Sequence, residues 1–204
     1  MKLVSIATNP KSADSSAYLC TMRKTFFIWL IFSSLSAYGQ ISDEMKHTIK
    51  QMENLSLEVY MDGLYRAVGY GHRLKDTDVS WVRELELYDE ISASAAEIIF
   101  DLDMVYLVGP GLTEVRKDIG WNYPPGVYDA MGSLIYNMGL SGLRETEFYL
   151  LFKNHRYKEA FKVLPRTKSG QPGLFDRRMK ELDFLMRGFD FSTGRYLPVP
   201  MSGR

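Results

Sequence analysis

Cysteine is almost absent from the sequence, since its single copy, Cys20, lies near the N-terminus. One cysteine cannot close a disulfide within the chain, and it cannot supply the thiolates of a zinc–cysteine site. Histidine is scarce as well: His47, His72 and His155 are the only three, and they show no ligand spacing. The sequence therefore predicts a domain that depends on its hydrophobic core and contains no metal and no other cofactor.

A net charge is also missing, because 25 Lys and Arg residues balance 25 Asp and Glu residues in the 204-residue chain. Such a balance argues against a nucleic-acid binder, which usually carries an excess of basic residues. Apolar residues make up 46% of the chain and aromatic residues 13%, which is enough for a hydrophobic core. The sequence thus predicts one ordinary globular domain with additional segments.

The longest purely apolar run near the N-terminus is short. From Met22 the sequence reads MRKTFFIWLIFSSLSAYGQ, with a basic start, the apolar run Phe26–Phe32 and an exit of small residues. This order is typical of a secretory signal peptide, and the run falls short of the roughly 20 residues that span a membrane. We predict a leader over residues 1–39, in which 1–21 are an over-extended start and 22–39 a signal peptide cleaved before Gln40.

Cleavage would send the protein to the periplasm or outside the cell without stable insertion in the membrane; an uncleaved N-terminal anchor is the alternative. The chain without residues 1–39 has 21 Lys and Arg and 24 Asp and Glu, a net charge of −3, and it has lost Cys20. We expect this mature chain to be a monomer.

The segment before Glu53 has the periodicity of an amphipathic helix. Its apolar residues recur at spacings of four, four and three: Ile41, Met45, Ile49 and Met52. Ser42 suits the N-cap, and the helix is predicted to end at or near Glu53. The following stretch LSLEVYMDG alternates like a strand, Asp62-Gly63 is a turn signal, and LYRAVGYG is predicted to return as the second strand of a hairpin.

Most of the remaining chain is predicted to be helical. Ser92 can cap ASAAEIIFDLDMVYLV, a long helix that we expect GPG at 109–111 to stop. GVYDAMGSLIYNMGL, one or two shorter helices and LFDRRMKELDFLMRG follow. We predict an α+β fold that is mostly α, in which the long helix joins a hairpin lobe to a helical lobe. The domain covers residues 40–190, and 191–204 form a flexible tail.

Glu53 and Asp62 are a candidate acid–base pair for a cleft between the two lobes. Glycoside hydrolysis uses one carboxyl group that carries a proton and one that is ionised. The unsatisfied carbonyls at a helix C-terminus favour the neutral form of Glu53, whereas Asp62 in a turn is solvated and remains ionised. With 25 acidic residues in the chain, this spacing alone is only a weak indication.

The surrounding motifs make the indication stronger. The chain resembles the phage-type lysozyme or endolysin family, glycoside hydrolase family 24, in E-x8-D followed by GYGH, and then in SASAAEIIFDLD, YDAMGSLIYNMG and PGLFDRRMKELDFL. These motifs occur in order over Met45–Gly188. The resemblance implies a two-lobed lysozyme-like fold and a muramidase that cleaves the β-1,4 bond between N-acetylmuramic acid and N-acetylglucosamine in peptidoglycan glycan strands. Glu53 then matches the family's catalytic acid, and Asp62 matches its second catalytic carboxylate.

One family residue is missing. Ala67 stands where the family has an active-site threonine, and the segment Asp62–His72 is one residue shorter than usual. Alanine cannot hold the attacking water, and the loss of one such hydrogen bond costs about 1–3 kcal/mol, or roughly ten- to a hundred-fold in rate. A slowed hydrolase is the main hypothesis; a lytic transglycosylase and a catalytically weakened peptidoglycan-binding protein are the alternatives.

Three further residues are candidate substrate contacts: Arg73, Tyr136 and Asn137. Arg73 follows the hairpin and could reach a carboxylate of the substrate, while the other two match a cleft-lining position of the family. His72 is predicted to make structural hydrogen bonds or an ion pair beneath the site. Arg177 and Arg178 are predicted to pair with Glu181 on the surface of a helix. Phage lysis, wall opening by a cell or mobile element, and attack on competing bacteria would all use this chemistry.

Overall fold

The computed structural model describes residues 41–74, 90–120, 122–168, 170 and 173–197. The predicted leader and the last seven residues of the predicted tail, 198–204, lie outside these ranges. Among the described helices, none is long and apolar enough to cross a membrane.

The N-terminal part consists of one helix and a small antiparallel sheet. Helix α1 covers Asp43–Glu53, and Ser42 caps it by accepting a hydrogen bond from the Met45 backbone N–H at 3.1 Å. The strands are β1 Ser56–Asp62, β2 Tyr65–Gly69 and β3 His72–Arg73, in the order β1-β2-β3. The predicted helix and hairpin are thus confirmed, and Glu53 and Asp62 end α1 and β1.

The rest of the described chain is mainly helical. Its α-helices are α2 Ala93–Asp103, α3 Gly109–Ile119, α4 Pro125–Arg144, α5 Glu147–Lys153, α6 Tyr157–Val163 and α7 Leu174–Met186, with a 3₁₀ turn at Leu164–Arg166. The segment predicted to form one or two shorter helices forms two, α5 and α6. Within α4 the backbone breaks at Gly139, whose φ of 73° and ψ of 163° are not helical.

The prediction that GPG at 109–111 stops the long helix is wrong. A π-helical segment, Met104–Val108, joins α2 directly to α3. The Gly109 backbone N–H donates to the Met104 carbonyl five residues back, so the helix widens just ahead of Pro110. Pro110 then lies in the first turn of α3, where a missing N–H and a fixed φ are tolerated.

The predicted flexible tail also differs from the structure over residues 191–197. Strands β4 Phe189–Asp190 and β5 Arg195–Tyr196 form a second small hairpin. The Tyr196 hydroxyl donates to the Leu185 carbonyl at 2.7 Å, and Tyr196 packs at the edge of the main core. This hairpin therefore belongs to the packed part of the chain.

Two hydrophobic clusters meet along α2. The smaller cluster lies between the sheet and α2 and contains Val68, Ile91 and Ile99. The larger cluster fills the helical part and receives Phe100 from the same helix. Because consecutive residues of α2 enter different clusters, this helix bridges the two parts, as predicted. The fold is mostly helical with a small antiparallel sheet.

The packing of α4 against α7 gives a stability prediction. A Cβ at Gly126 would overlap the Phe184 backbone carbonyl oxygen, whereas a Cβ at Gly142 would meet the flexible side chains of Met138 and Lys168. We expect Gly126→Ala to lower the free energy of unfolding by about 1–3 kcal/mol through overpacking. Gly142→Ala, in the same helix, should be neutral or stabilising by up to about 1 kcal/mol. Urea denaturation measures both, and equal effects would contradict this packing.

Candidate active site

A cleft of about 970 Å³ lies between the sheet and the helical part. Its walls include all five residues that the sequence singled out: Glu53, Asp62, Arg73, Tyr136 and Asn137. They come from α1, β1, β3 and α4, elements that are far apart in the chain. The fold therefore brings the sequence-derived candidates together in one place.

Glu53 lies in the cleft wall with only a fifth of its side chain exposed. One carboxylate oxygen, Oε1, accepts a hydrogen bond from Arg177 Nη1. The turn between β2 and β3 lies against the other oxygen: a Cβ at Gly71 would be 3.4 Å from Glu53 Oε2. The φ of +86° at Gly71 also favours glycine. This glycine of the GYGH motif therefore allows the turn to pack closely on the candidate acid.

Arg177 belongs to a buried network of charges rather than to the surface. Its Nε donates to Glu181 Oε1 at 3.2 Å, and its Nη2 donates to the Ser133 carbonyl at 3.1 Å. Glu181 Oε2 accepts from Arg178 Nη1 at 2.6 Å. All three charged side chains are at least 95% buried. The predicted ion pairs exist, but their predicted surface location is wrong.

The contact with Arg177 changes the electrostatic argument for Glu53. The carbonyls at the end of α1 disfavour a negative charge on Glu53. Arg177 adds a guanidinium in direct contact with the carboxyl group, and a guanidinium favours a negative charge there. This contact could not be recognised in the sequence, because a spacing of four to Glu181 indicates a helical ion pair and nothing about a residue 124 positions away.

Asp62 is far more exposed than Glu53 and has a cation of its own. Arg73 Nε and Nη2 lie 3.2 and 2.9 Å from Asp62 Oδ2, and about half of each side chain is exposed. Arg73 was predicted as a substrate contact. In the structure its direct partner is the second candidate carboxylate, and its contact with substrate stays a prediction.

Tyr136 and Asn137 line the cleft, but each also has a structural partner. The Tyr136 hydroxyl donates to the Tyr70 carbonyl at 2.7 Å, and burial raises the pKa of Tyr136 well above its usual value. Asn137 Oδ1 accepts from Arg178 Nη2 at 2.6 Å. These bonds hold the β2–β3 turn and α7 against α4. Their contact with substrate also stays a prediction.

Tyr60 also lines the cleft. Burial raises its pKa, and the negative charges of Asp62 and Glu53 raise it further, so the hydroxyl remains protonated at neutral pH. Tyr60 lies opposite Ala67 in the sheet, and Ala67 is fully buried and forms no part of the cleft wall.

The predicted structural hydrogen bonds or ion pair of His72 are represented by its contact with Asp103: His72 Nδ1 lies 2.9 Å from Asp103 Oδ1, with both side chains largely buried. The predicted place beneath the site is wrong, because both residues belong to the cleft wall. Among the residues that the structure describes, no three His, Cys, Asp or Glu side chains are grouped to hold a metal ion.

Comparison with known proteins identifies the family. The phage lysozyme family model matches residues 50–181, a stretch that runs from α1 to α7. The chain belongs to the phage lysozyme family. A search of curated protein sequences gave no match.

Three solved structures share the fold of this phage lysozyme family member. The muramidase domain of SpmX from Asticaccaulis excentricus aligns with a TM-score of 0.58 and 18% identity, over 72% of this chain and 97% of that chain. An endolysin from Escherichia coli O157:H7 phage FAHEc1 aligns with a TM-score of 0.56 and 25% identity, over 72% of this chain and 93% of that chain. A mutant of P22 lysozyme aligns with a TM-score of 0.54 and 21% identity, over 72% of this chain and 98% of that chain.

The buried network predicts a large difference between two similar ion pairs. Arg178–Glu181 and Arg156–Glu159 both have a spacing of three residues, but the first pair is fully buried and the second is half exposed. Glu181→Gln leaves the buried Arg178 without an anion and Arg177 with Glu53 alone, and we expect the free energy of unfolding to fall by about 3–5 kcal/mol. Glu159→Gln should cost less than about 1 kcal/mol. Chemical denaturation of both variants tests this, and similar losses would contradict the network's importance.

Proposed function

We propose that this protein is a lysozyme-type glycosidase that degrades peptidoglycan by cleaving the β-1,4 bond between N-acetylmuramic acid and N-acetylglucosamine. The observation that carries the proposal is the presence of Glu53 and Asp62 in the wall of one cleft. Membership of the phage lysozyme family and the similarity to an endolysin and a muramidase domain support it. Export by the leader at 1–39 would bring the enzyme to its substrate.

In the proposed reaction Glu53 is the general acid. It gives its proton to the glycosidic oxygen as the bond from that oxygen to the anomeric carbon breaks. Arg177, already bonded to Oε1, stabilises the carboxylate that remains. Asp62 accepts a hydrogen bond from the attacking water or stabilises the positive charge on the sugar. Its exposure suits a group that must reach water.

Substrate contacts complete the proposal on the helical side. Asn137 Nδ2 has no hydrogen-bond partner among the described residues, and Asn137 lines the cleft. This amide hydrogen can donate to the carbonyl of an N-acetyl group. Tyr136 adds an aromatic surface next to it.

Lytic transglycosylase chemistry is the second candidate, and Ala67 is the observation that favours it. A transglycosylase uses a hydroxyl of the sugar itself as nucleophile, so it needs no anchor for water. Ala67 offers no hydroxyl and is buried below the cleft wall.

Digestion of purified peptidoglycan with mass spectrometry of the fragments tests the proposal. We expect the wild-type protein to release muropeptides with reducing ends. Glu53→Gln, which keeps the size of the side chain and removes the proton donor, should lower the rate about 10²- to 10⁴-fold. Asp43→Asn is the matched control, since it removes an exposed carboxylate from the same helix, and it should leave the rate unchanged.

Each alternative has its own signature in that digestion. Anhydro-ended fragments that Glu53→Gln abolishes would identify a transglycosylase. Intact binding without any fragments from the wild-type protein would leave a peptidoglycan-binding protein and refute the enzyme.

A further inference from the structure

The sheet places Arg73 beside the position of the missing hydroxyl. Ala67 on the middle strand lies directly opposite Tyr60 of β1 and directly opposite Arg73 of β3. Directly opposed residues of antiparallel strands point to the same face of the sheet. Tyr60 and Arg73 reach the cleft, whereas Ala67 does not. The polar groups next to Ala67 in the sheet are therefore carried by its two neighbouring strands.

Two contacts fix the orientation of the Arg73 guanidinium. On one side, Nε and Nη2 both donate to Asp62 Oδ2. On another, the Arg73 Cζ atom lies 4.8 Å from the centroid of the Tyr65 ring, within the range of a cation–π contact. Tyr65 is itself the register partner of Asp62 across the hairpin. The planar guanidinium is thus held by two residues that face each other at the end of the hairpin.

Stability does not account for this arrangement. Both side chains of the Asp62–Arg73 pair are about half exposed. Ion pairs with this exposure contribute little to the free energy of unfolding because water and salt screen them. The larger consequence of the contact is the direction in which the Asp62 carboxylate points, since a donor pair on one oxygen restrains its rotation.

The pair leaves one acceptor of the carboxylate available. Within the described residues, no other group forms a hydrogen bond with Asp62 Oδ1, and Asp62 lines the cleft. A water molecule can donate a hydrogen bond to this oxygen. Because Arg73 restrains the carboxylate through Oδ2, it also restrains the position of such a water molecule.

We infer that Arg73 is a positioning residue that orients Asp62 toward the attacking water in a site without the threonine hydroxyl; the inference rests on the proposed hydrolase. Arg73 holds Asp62 Oδ2, and Asp62 Oδ1 accepts a hydrogen bond from the water. The water oxygen forms a bond with the anomeric carbon while the bond from that carbon to the glycosidic oxygen breaks. Glu53 supplies the proton that the leaving oxygen takes up, and Asp62 Oδ1 accepts the proton that the water loses. Arg73 neither gains nor loses a proton.

Kinetics on soluble peptidoglycan fragments test the inference. Arg73→Gln removes the charge and the paired donors, and we expect kcat to fall about ten- to a hundred-fold while KM changes less than about three-fold. Arg73→Lys keeps the charge but not the planar donor pair, so it should recover only part of the rate. Arg66→Gln is the matched control: this arginine belongs to the same hairpin, points to the opposite face and lies outside the cleft wall. Its kcat should match that of the wild-type protein.

A stability measurement separates positioning from a structural effect. The thermal midpoint of Arg73→Gln should stay within about 2 °C of wild type, because the pair is exposed.

Each possible outcome either supports or overturns the inference. An Arg73→Gln variant with unchanged kcat, with a raised KM alone, or with a higher kcat than wild type would overturn the inference, because Arg73 would then be neutral, a substrate contact or a brake. In each of these cases a Glu53→Gln variant that is inactive would leave the proposed function standing. A wild-type protein no more active than Glu53→Gln, or one that releases only anhydro ends, would refute the hydrolase and the inference together.

Discussion

The buried carboxylate of Glu181 organises the cleft side of this fold. It lies between two arginines of its own helix, Arg177 and Arg178, and it also accepts a hydrogen bond from Ser133 of α4 at 2.7 Å. Removing three charges from water is costly, and only a complete set of hydrogen bonds compensates for that cost. The structure supplies such a set, since no buried side-chain nitrogen or oxygen among the described residues lacks a partner.

The two arginines connect Glu181 to other elements that line the cleft. Arg177 extends from Glu181 to Glu53, and thereby connects α7 to the end of α1. Arg178 extends to Asn137 on α4 and to the Thr167 carbonyl before α7. A substitution at one of these charged residues should alter the hydrogen bonds of the others because they share partners. The position of the candidate acid is thus determined by contacts at the far end of the sequence.

The two candidate carboxylates are held in different ways, and this difference suits their roles. Glu53 is largely buried and is fixed by the helical core through Arg177. Asp62 projects from a hairpin, half exposed, and its cation comes from the neighbouring β3. A proton donor benefits from a rigid, partly dry setting, whereas a group that binds water must remain accessible. The absence of a hydroxyl at Ala67 makes the hairpin side depend on Arg73.

Much of the fold followed from local patterns. Caps at Ser42 and Ser92, the apolar stripe of α1 and the turn at Asp62-Gly63 act within a few residues, so they could be recognised in the sequence and were confirmed. The prediction that the GPG segment stops the long helix was wrong because a π-helical turn accommodates Pro110 inside a continuous helix. Residues 191–197 were expected to be flexible because their sequence has little core-forming character, but Tyr196 packs against Phe189 and the main core.

The sequence by itself determined the family, most of the elements and five of the residues that line the cleft, because motif order and hydrophobic period are properties of the chain. Tertiary structure alone decided which cation each carboxylate contacts. Arg177 and Arg178 have the same spacing pattern as a surface ion pair, and only the packing of α7 on α4 makes them buried and directs one of them to Glu53. Likewise, the hairpin register places Arg73 beside Ala67 and Asp62. Electrostatic contacts depend on distance in space, which a one-dimensional pattern does not specify.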